Sequence, residues 1–172
     1  MIIKILLYNH VLHDIPSITP TIPCEVNLLD ESQLPRLHEV WPVPLDEMKV
    51  RLKRGDQCYV ASVDGKLAHY SWAQFSGAHL IQDVGQMAAI EAGHCWIYHC
   101  RTAQEFQGRG IYPHVLSKMI AECKARGLLK AWVYTSPENI ASQKGILRAG
   151  FTLSRRLVSI RLFGRLIPLF SL

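Results

Sequence analysis

The chain has 172 residues, 49% of them hydrophobic, which is enough for one well-packed domain and short for two. A formal net charge of +5 favours an anionic partner without choosing among nucleic acid, a lipid surface and a phosphorylated ligand. The 5 cysteines form no C-x-x-C pair and the 8 histidines no ligand constellation, so no metal site is expected and a reducing, cytoplasmic setting fits best.

In chain order, residues 2–8 read as a strand. Lys4 interrupts the apolar N-terminus, and Asn9, His10 and His13 close it before a signal-peptide core can form. No later run approaches the roughly 18 apolar residues of a membrane helix, so stable insertion is not expected. Pro16, Pro20 and Pro23 mark 10–23 as a loop-like tether. Residues 25–29 read as a strand, after which Asp30 caps a helix, with Gln33 in the capping-box position and Leu34, Leu37 and Val40 on one face. Leu45, Met48 and Leu52 mark a second short helix that Gly55 stops.

Two β-rich runs, QCYVASV and KLAHYSWAQF, then flank Asp64-Gly65, the strongest short-range signal for a two-residue hairpin turn. The aromatic run HCWIYHCRT (94–102) is a further strand. It leads through EFQGRG into a helix from Ile111 that carries Val115, Leu116, Met119, Ile120 and Cys123 and ends at Gly127. Residues 131–135 form another strand, Ser136 and Pro137 open a helix that ends at Gly150, and 151–163 and 165–170, split by Gly164, form a closing strand pair.

A strand that empties through Gly108 and Gly110 into a helix aims several backbone N–H groups one way, at the positive end of the helix dipole. Glycine allows positive φ and lets an anion approach without a Cβ in the way. A tight strand-to-helix turn with no ligand explains the pair equally well. A P-loop needs Gly-Lys-Ser/Thr, and Ile111-Tyr112 stands there; a dinucleotide fingerprint needs glycine where Pro113 stands.

At these residues the chain resembles the GNAT superfamily of acyl-CoA-dependent N-acyltransferases. The family motif Gln/Arg-x-x-Gly-x-Gly/Ala is met by 107–111, and Tyr112 departs from its sixth position. A second family pattern, Asn-x-x-Ala-x-x-x-Tyr-x-x-x-Gly-Phe, is met at Asn139, Gly150 and Phe151, with Ser142 and Ile146 in place of its alanine and tyrosine. The resemblance covers 57–151, and 25–55 fits the usual first strand and two helices. It implies an α+β fold with a mixed, mostly antiparallel sheet flanked by helices. One acyltransferase-like domain then spans 1–172, made of an N-terminal strand and Pro-containing loop (1–23), a core (24–151) and closing strands (152–172).

It further implies direct attack of a neutral amine on the thioester of acetyl-CoA or another acyl-CoA. Backbone groups of Cys100, Arg101 and Thr102 would pair with the pantetheine arm, and Gln107, Gly108, Arg109, Gly110, Ile111, Tyr112 and Asn139 would hold the rest of the cofactor. Lys144 and Arg148, one turn apart on the last helix, read first as a solvated face, with the nucleotide phosphates of the cofactor as the alternative contact. Ile146 cannot protonate the leaving thiolate, which leaves Tyr134 and Tyr112 as hydroxyl candidates. Candidate bases are His94 and His99, with Glu91 behind them, and His99 needs a strand bulge to face inward. The expected acceptor is a small-molecule amine or amino sugar, with no nucleic acid as partner; the oligomeric state stays open, a homodimer included. A degenerate domain that binds acyl-CoA as a sensor or interaction module is the alternative.

Overall fold

The structure, a computed structural model, describes residues 1–169; Phe170, the expected end of the last strand, lies outside the described residues. Its first half is antiparallel. Strand β2 (Glu25–Leu28) pairs with β3 (Gln57–Val63), and β3 with β4 (Lys66–Gln74). The Asp64-Gly65 turn between the last two has φ of 49° and 79°, the double positive φ that a twisted two-residue hairpin needs. Between β2 and β3 lie a helical segment (Glu31–Glu39) and α1 (Leu45–Lys53). The expected helix and its capping box on Asp30 and Gln33 are present, and the segment winds as a 3-10 helix. Pro35 sits inside it, where it removes one N–H and crowds the carbonyl four residues back.

The second half supplies the crossover. Strand β7 (His94–Thr102) is followed by α2 (Ile111–Ala125) and by β8 (Lys130–Thr135), which returns parallel to β7. Helix α3 (Ile140–Arg148) then leads to the hairpin of β9 (Thr152–Leu162) and β10 (Arg165–Leu169). Asn139, not Ser136, caps α3: its Oδ1 accepts from the Ser142 N–H at 3.0 Å. Pro137 therefore precedes the helix and does not open it. The N-terminal strand β1 (Ile2–Val11) runs three residues past its expected end and lies inside the sheet, antiparallel to β8 on one side and β9 on the other. The order of the eight strands is β10-β9-β1-β8-β7-β4-β3-β2.

Three groups of buried side chains cover the two faces. Ile111, Val115, Leu116, Met119, Ile120 and Cys123 of α2 join Ile146 of α3 and Phe151 against Leu6, Tyr8, Ile97 and Val133 of the sheet. On the other face Leu34, Leu37 and Met48 pack on Val60, Tyr70 and Trp72. A small separate hairpin, β5 (Ala78–Ile81) and β6 (Gln86–Ala89), covers β1 and β9 through Ile81, Val84, Ile5, Leu7 and Leu157, and the Ser159 hydroxyl donates to the Val84 carbonyl at 2.7 Å. The segment expected as a tether is a strap along α2. Its carbonyls at His13, Pro16 and Ile18 meet Lys124, Ser117 and His114, and the Thr21 N–H donates to the Arg109 carbonyl at 2.8 Å.

Candidate active site

Parallel pairing of β7 with β8 runs only from His94 opposite Lys130 to Ile97 opposite Val133. Beyond that point the strands part. On its other edge β7 stays paired with β4 as far as Thr102, so from Tyr98 onward it has one satisfied edge and one open edge. A chamber of about 680 Å³ opens at this fork, between α1 and the β5–β6 hairpin on one side and α2 and α3 on the other.

The strand carries the bulge that His99 requires. Tyr70 lies opposite Arg101 and Trp72 opposite Tyr98, so His99 and Cys100 together face the single residue Ser71, and His99 takes a φ of 49°. Its Nδ1 accepts from Arg51 Nη1 at 2.6 Å. A guanidinium only donates, so Nδ1 carries no hydrogen and Nε2 does. Burial, helped by the charges of Arg51 and Arg101, pushes the pKa of His99 down to about 4.

His79, which the sequence reading gave no role, is 3% exposed on β5 and lines the chamber. Gln74 fixes its tautomer. The Gln74 amide nitrogen donates to the Ser76 and Ala78 carbonyls, which leaves Oε1 to accept from His79 Nδ1 at 2.9 Å. His79 Nε2 then accepts from the Tyr134 hydroxyl at 3.4 Å. Burial lowers the pKa of His79 to about 4 and raises that of Tyr134. The signal that marks this element is the alternation in AHLI, where His79 and Ile81 point inward, followed by Asp83 and Gly85 at a turn.

Of the expected site residues, His99, Cys100, Arg101, Tyr112, Tyr134 and Asn139 line the chamber. His94 does not. It sits at the opposite end of β7, with Nδ1 3.5 Å from both the Glu91 carboxylate and the Trp132 indole nitrogen. Burial raises the Cys100 thiol to about 11, so it is not a thiolate. Tyr112 stacks on His69, and its hydroxyl lies beside Cys100 and Ser142. Gln107 ties the glycine loop to the strand by donating to the Thr102 carbonyl at 3.3 Å. Gly108 and Gly110 have φ of 74° and 76°. Among the described residues, no backbone N–H from Gly108 to Tyr112 finds an acceptor. A Cβ on Gly110 would lie 3.3 Å from Arg148 Nη1, which places that guanidinium at the loop.

Three histidines that burial keeps neutral make stability depend on pH. The folded pKa is about 3 for His69 and about 4 for His79 and His99, against 6.5 unfolded. Between those limits the unfolded chain binds more protons, so stability rises with pH. Thermal melts are expected to be flat above pH 6.5 and to fall steadily toward pH 4, and His79→Gln is expected to reduce that slope. An unchanged melting temperature from pH 7 to 4.5 would contradict the buried neutral histidines.

Residues 26–151 match the acetyltransferase (GNAT) family. The chain belongs to that family. The likeness extends to solved structures. A GNAT-family protein from Novosphingobium aromaticivorans is 19% identical with a TM-score of 0.65, over 92% of this chain and 63% of that one. A GNAT acetyltransferase from Colwellia psychrerythraea is also 19% identical at 0.65, over 92% and 56%. The ribosomal-protein-S18-alanine N-acetyltransferase of Escherichia coli is 14% identical at 0.59, over 76% and 78%. This chain thus spans less than two thirds of the first two, and at these identities the likeness is one of fold. No curated protein sequence matches the chain. In this GNAT fold, β1 lies outside the matched residues although it is an interior strand of the sheet, between β9 and β8.

Proposed function

We propose that the protein transfers an acetyl or other acyl group from acyl-CoA to a primary amine of a small molecule or amino sugar, by direct attack. The observation that carries this reading is the open edge of β7 running from the fork toward five backbone N–H groups that find no acceptor among the described residues. Peptide-like amides of a pantetheine arm can complete the strand along Cys100 to Thr102. The Gly108 to Tyr112 amides, backed by the α2 dipole and the Arg148 guanidinium, then suit its pyrophosphate. Asn139 and Ser142 line the same groove from α3.

Direct transfer asks few groups to react, because holding amine and thioester together supplies much of the rate. His99 is a poor base: its Nδ1 lone pair is held by Arg51 and its low pKa leaves it little appetite for a proton. The acceptor therefore loses its proton to water before attack. Tyr134 stands at the fork, where Ile146 offers nothing because it is fully buried under α2. With its pKa raised, Tyr134 stays protonated, and its hydroxyl turns from His79 Nε2, which it meets at a long 3.4 Å, to steady the departing thiolate by donating a hydrogen bond. The thiolate leaves without taking that proton, since a thiol of pKa near 8.5 is a fair leaving group, and the proton that the attacking nitrogen sheds as the amide forms goes to water.

Release of free thiol from acetyl-CoA across a panel of amines tests the reading; CoA binding without turnover on any amine would instead favour an acyl-CoA-binding sensor. The alkaline-rising limb of kcat/KM is expected to move with the pKa of the amine and to persist in His99→Asn. A limb fixed near the pKa of a histidine and lost in that variant would make His99 the base. Tyr134→Phe is expected to lower kcat roughly tenfold while the CoA dissociation constant holds, the loss of one hydrogen bond to a charged group. Equal rates in Tyr134→Phe and wild type would remove Tyr134 from the mechanism.

A further inference from the structure

The chamber holds two arginines at the end of α1, Arg51 in its last turn and Arg54 at its C-cap, in opposite circumstances. Arg54 is spent: its guanidinium grips the buried Asp56 carboxylate through Nε at 3.0 Å and Nη2 at 2.5 Å, and the Tyr98 hydroxyl completes the group. Arg51, one turn earlier, has no carboxylate partner among the described residues. Its guanidinium lies over the Trp72 and Tyr98 rings, 5.3 and 5.1 Å from their centroids, and only Nη1 is engaged, on the neutral His99. Asp46, Glu47 and Asp83 also line the chamber, but all three are exposed, and none forms an ion pair with Arg51.

A half-buried cation fixed on two aromatic faces, with most of its donors unmet, is a recognition element for an anion. The planar fork suits a carboxylate, which it can bind through two parallel hydrogen bonds. His99 sets the distance: it lies on the bulge beside Cys100, so Arg51 is one imidazole away from the strand edge assigned to the pantetheine arm.

We propose that Arg51 binds a carboxylate of the ligand that fills this chamber. The inference rests on the acyltransfer reading above. The carboxylate has two chemical sources within reach of the bulge: an acceptor whose amine lies close to a carboxylate, as in an amino acid, or an acyl chain that ends in one.

Two matched pairs separate the sources. An amino acid is compared with the amine it gives on decarboxylation, using acetyl-CoA for both. Succinyl-CoA is then compared with butyryl-CoA on a single amine. In the wild type, kcat/KM for the carboxylated member of one pair is expected to exceed its partner by roughly 10- to 100-fold, the range for a hydrogen-bonded ion pair. In Arg51→Gln that ratio falls to near one, and in Arg51→Lys it is partly restored. The pair that responds identifies the source. A ratio near one in both pairs of the wild type overturns the proposal, as does a ratio that survives in Arg51→Gln, including a uniform loss in which Arg51 acts only by holding His99. Calorimetric titration with CoA runs alongside. Absence of both CoA binding and thiol release would overturn the acyltransfer reading itself, whereas CoA binding with no carboxylate discrimination overturns only the role of Arg51.

Discussion

Gly110→Val is expected to weaken CoA binding by more than about 100-fold while the protein stays folded. At a φ of 76° a β-branched residue is strained whatever space it has, by roughly 1–3 kcal/mol. The loop relieves that strain by turning its peptides, which takes the N–H groups off the anion they are proposed to hold. A side chain at 110 also meets the Arg148 guanidinium at 3.3 Å and the Pro20 backbone at 3.5 Å, so it displaces that guanidinium and loosens the strap. Gly108→Val is the control for crowding, since a Cβ there meets nothing within 4 Å while φ is 74°. Both variants lose CoA affinity by titration calorimetry if amide direction governs binding. Undiminished affinity in both, with native circular dichroism, would take the cofactor off this loop.

Leu7→Ala is expected to destabilise the fold by about 2–5 kcal/mol, the usual cost of emptying a buried leucine site. Leu7 is fully buried, and it packs with Ile81, Trp96 and Leu157, so one cavity loosens β1, β7, β9 and the hairpin that carries His79. Val11→Ala, at a position 50% exposed near the end of the same strand, should cost under about 1 kcal/mol. Urea unfolding of the two variants measures the difference. A Leu7→Ala cost as small as that of Val11→Ala would mean that β1 is peripheral and that β8 and β9 hold together without it.

Local chemistry was legible in the sequence wherever a short stretch settles its own backbone. Asp64-Gly65 dictates its hairpin because few other dipeptides accept two positive φ angles, and Asp30 with Gln33 satisfies the orphaned amides of its helical segment from three residues away. The Gln107 to Ile111 loop and the Asn139, Gly150 and Phe151 pattern were legible for the same reason, and through them the family. The tyrosine that departs from the loop motif was visible too. Its setting against His69, Cys100 and Ser142 was not, because those residues come from three other elements.

Partnership across the chain was decided only by the tertiary structure. Nothing in residues 2–11 says that they enter the sheet between β8 and β9, more than a hundred residues away, since an apolar strand can pair with any edge of matching register. The bulge at His99 arises from a two-against-one pairing with Ser71, so it belongs to β4 and β7 jointly and leaves no mark in either alone. Arg51 and Arg54 look alike in sequence, one turn apart at the end of one helix. Asp56 stands only two residues beyond the second, but folding alone buries that pair under Tyr98 and leaves the first facing the chamber on His99, because the charge state of a site is set by which groups burial places side by side.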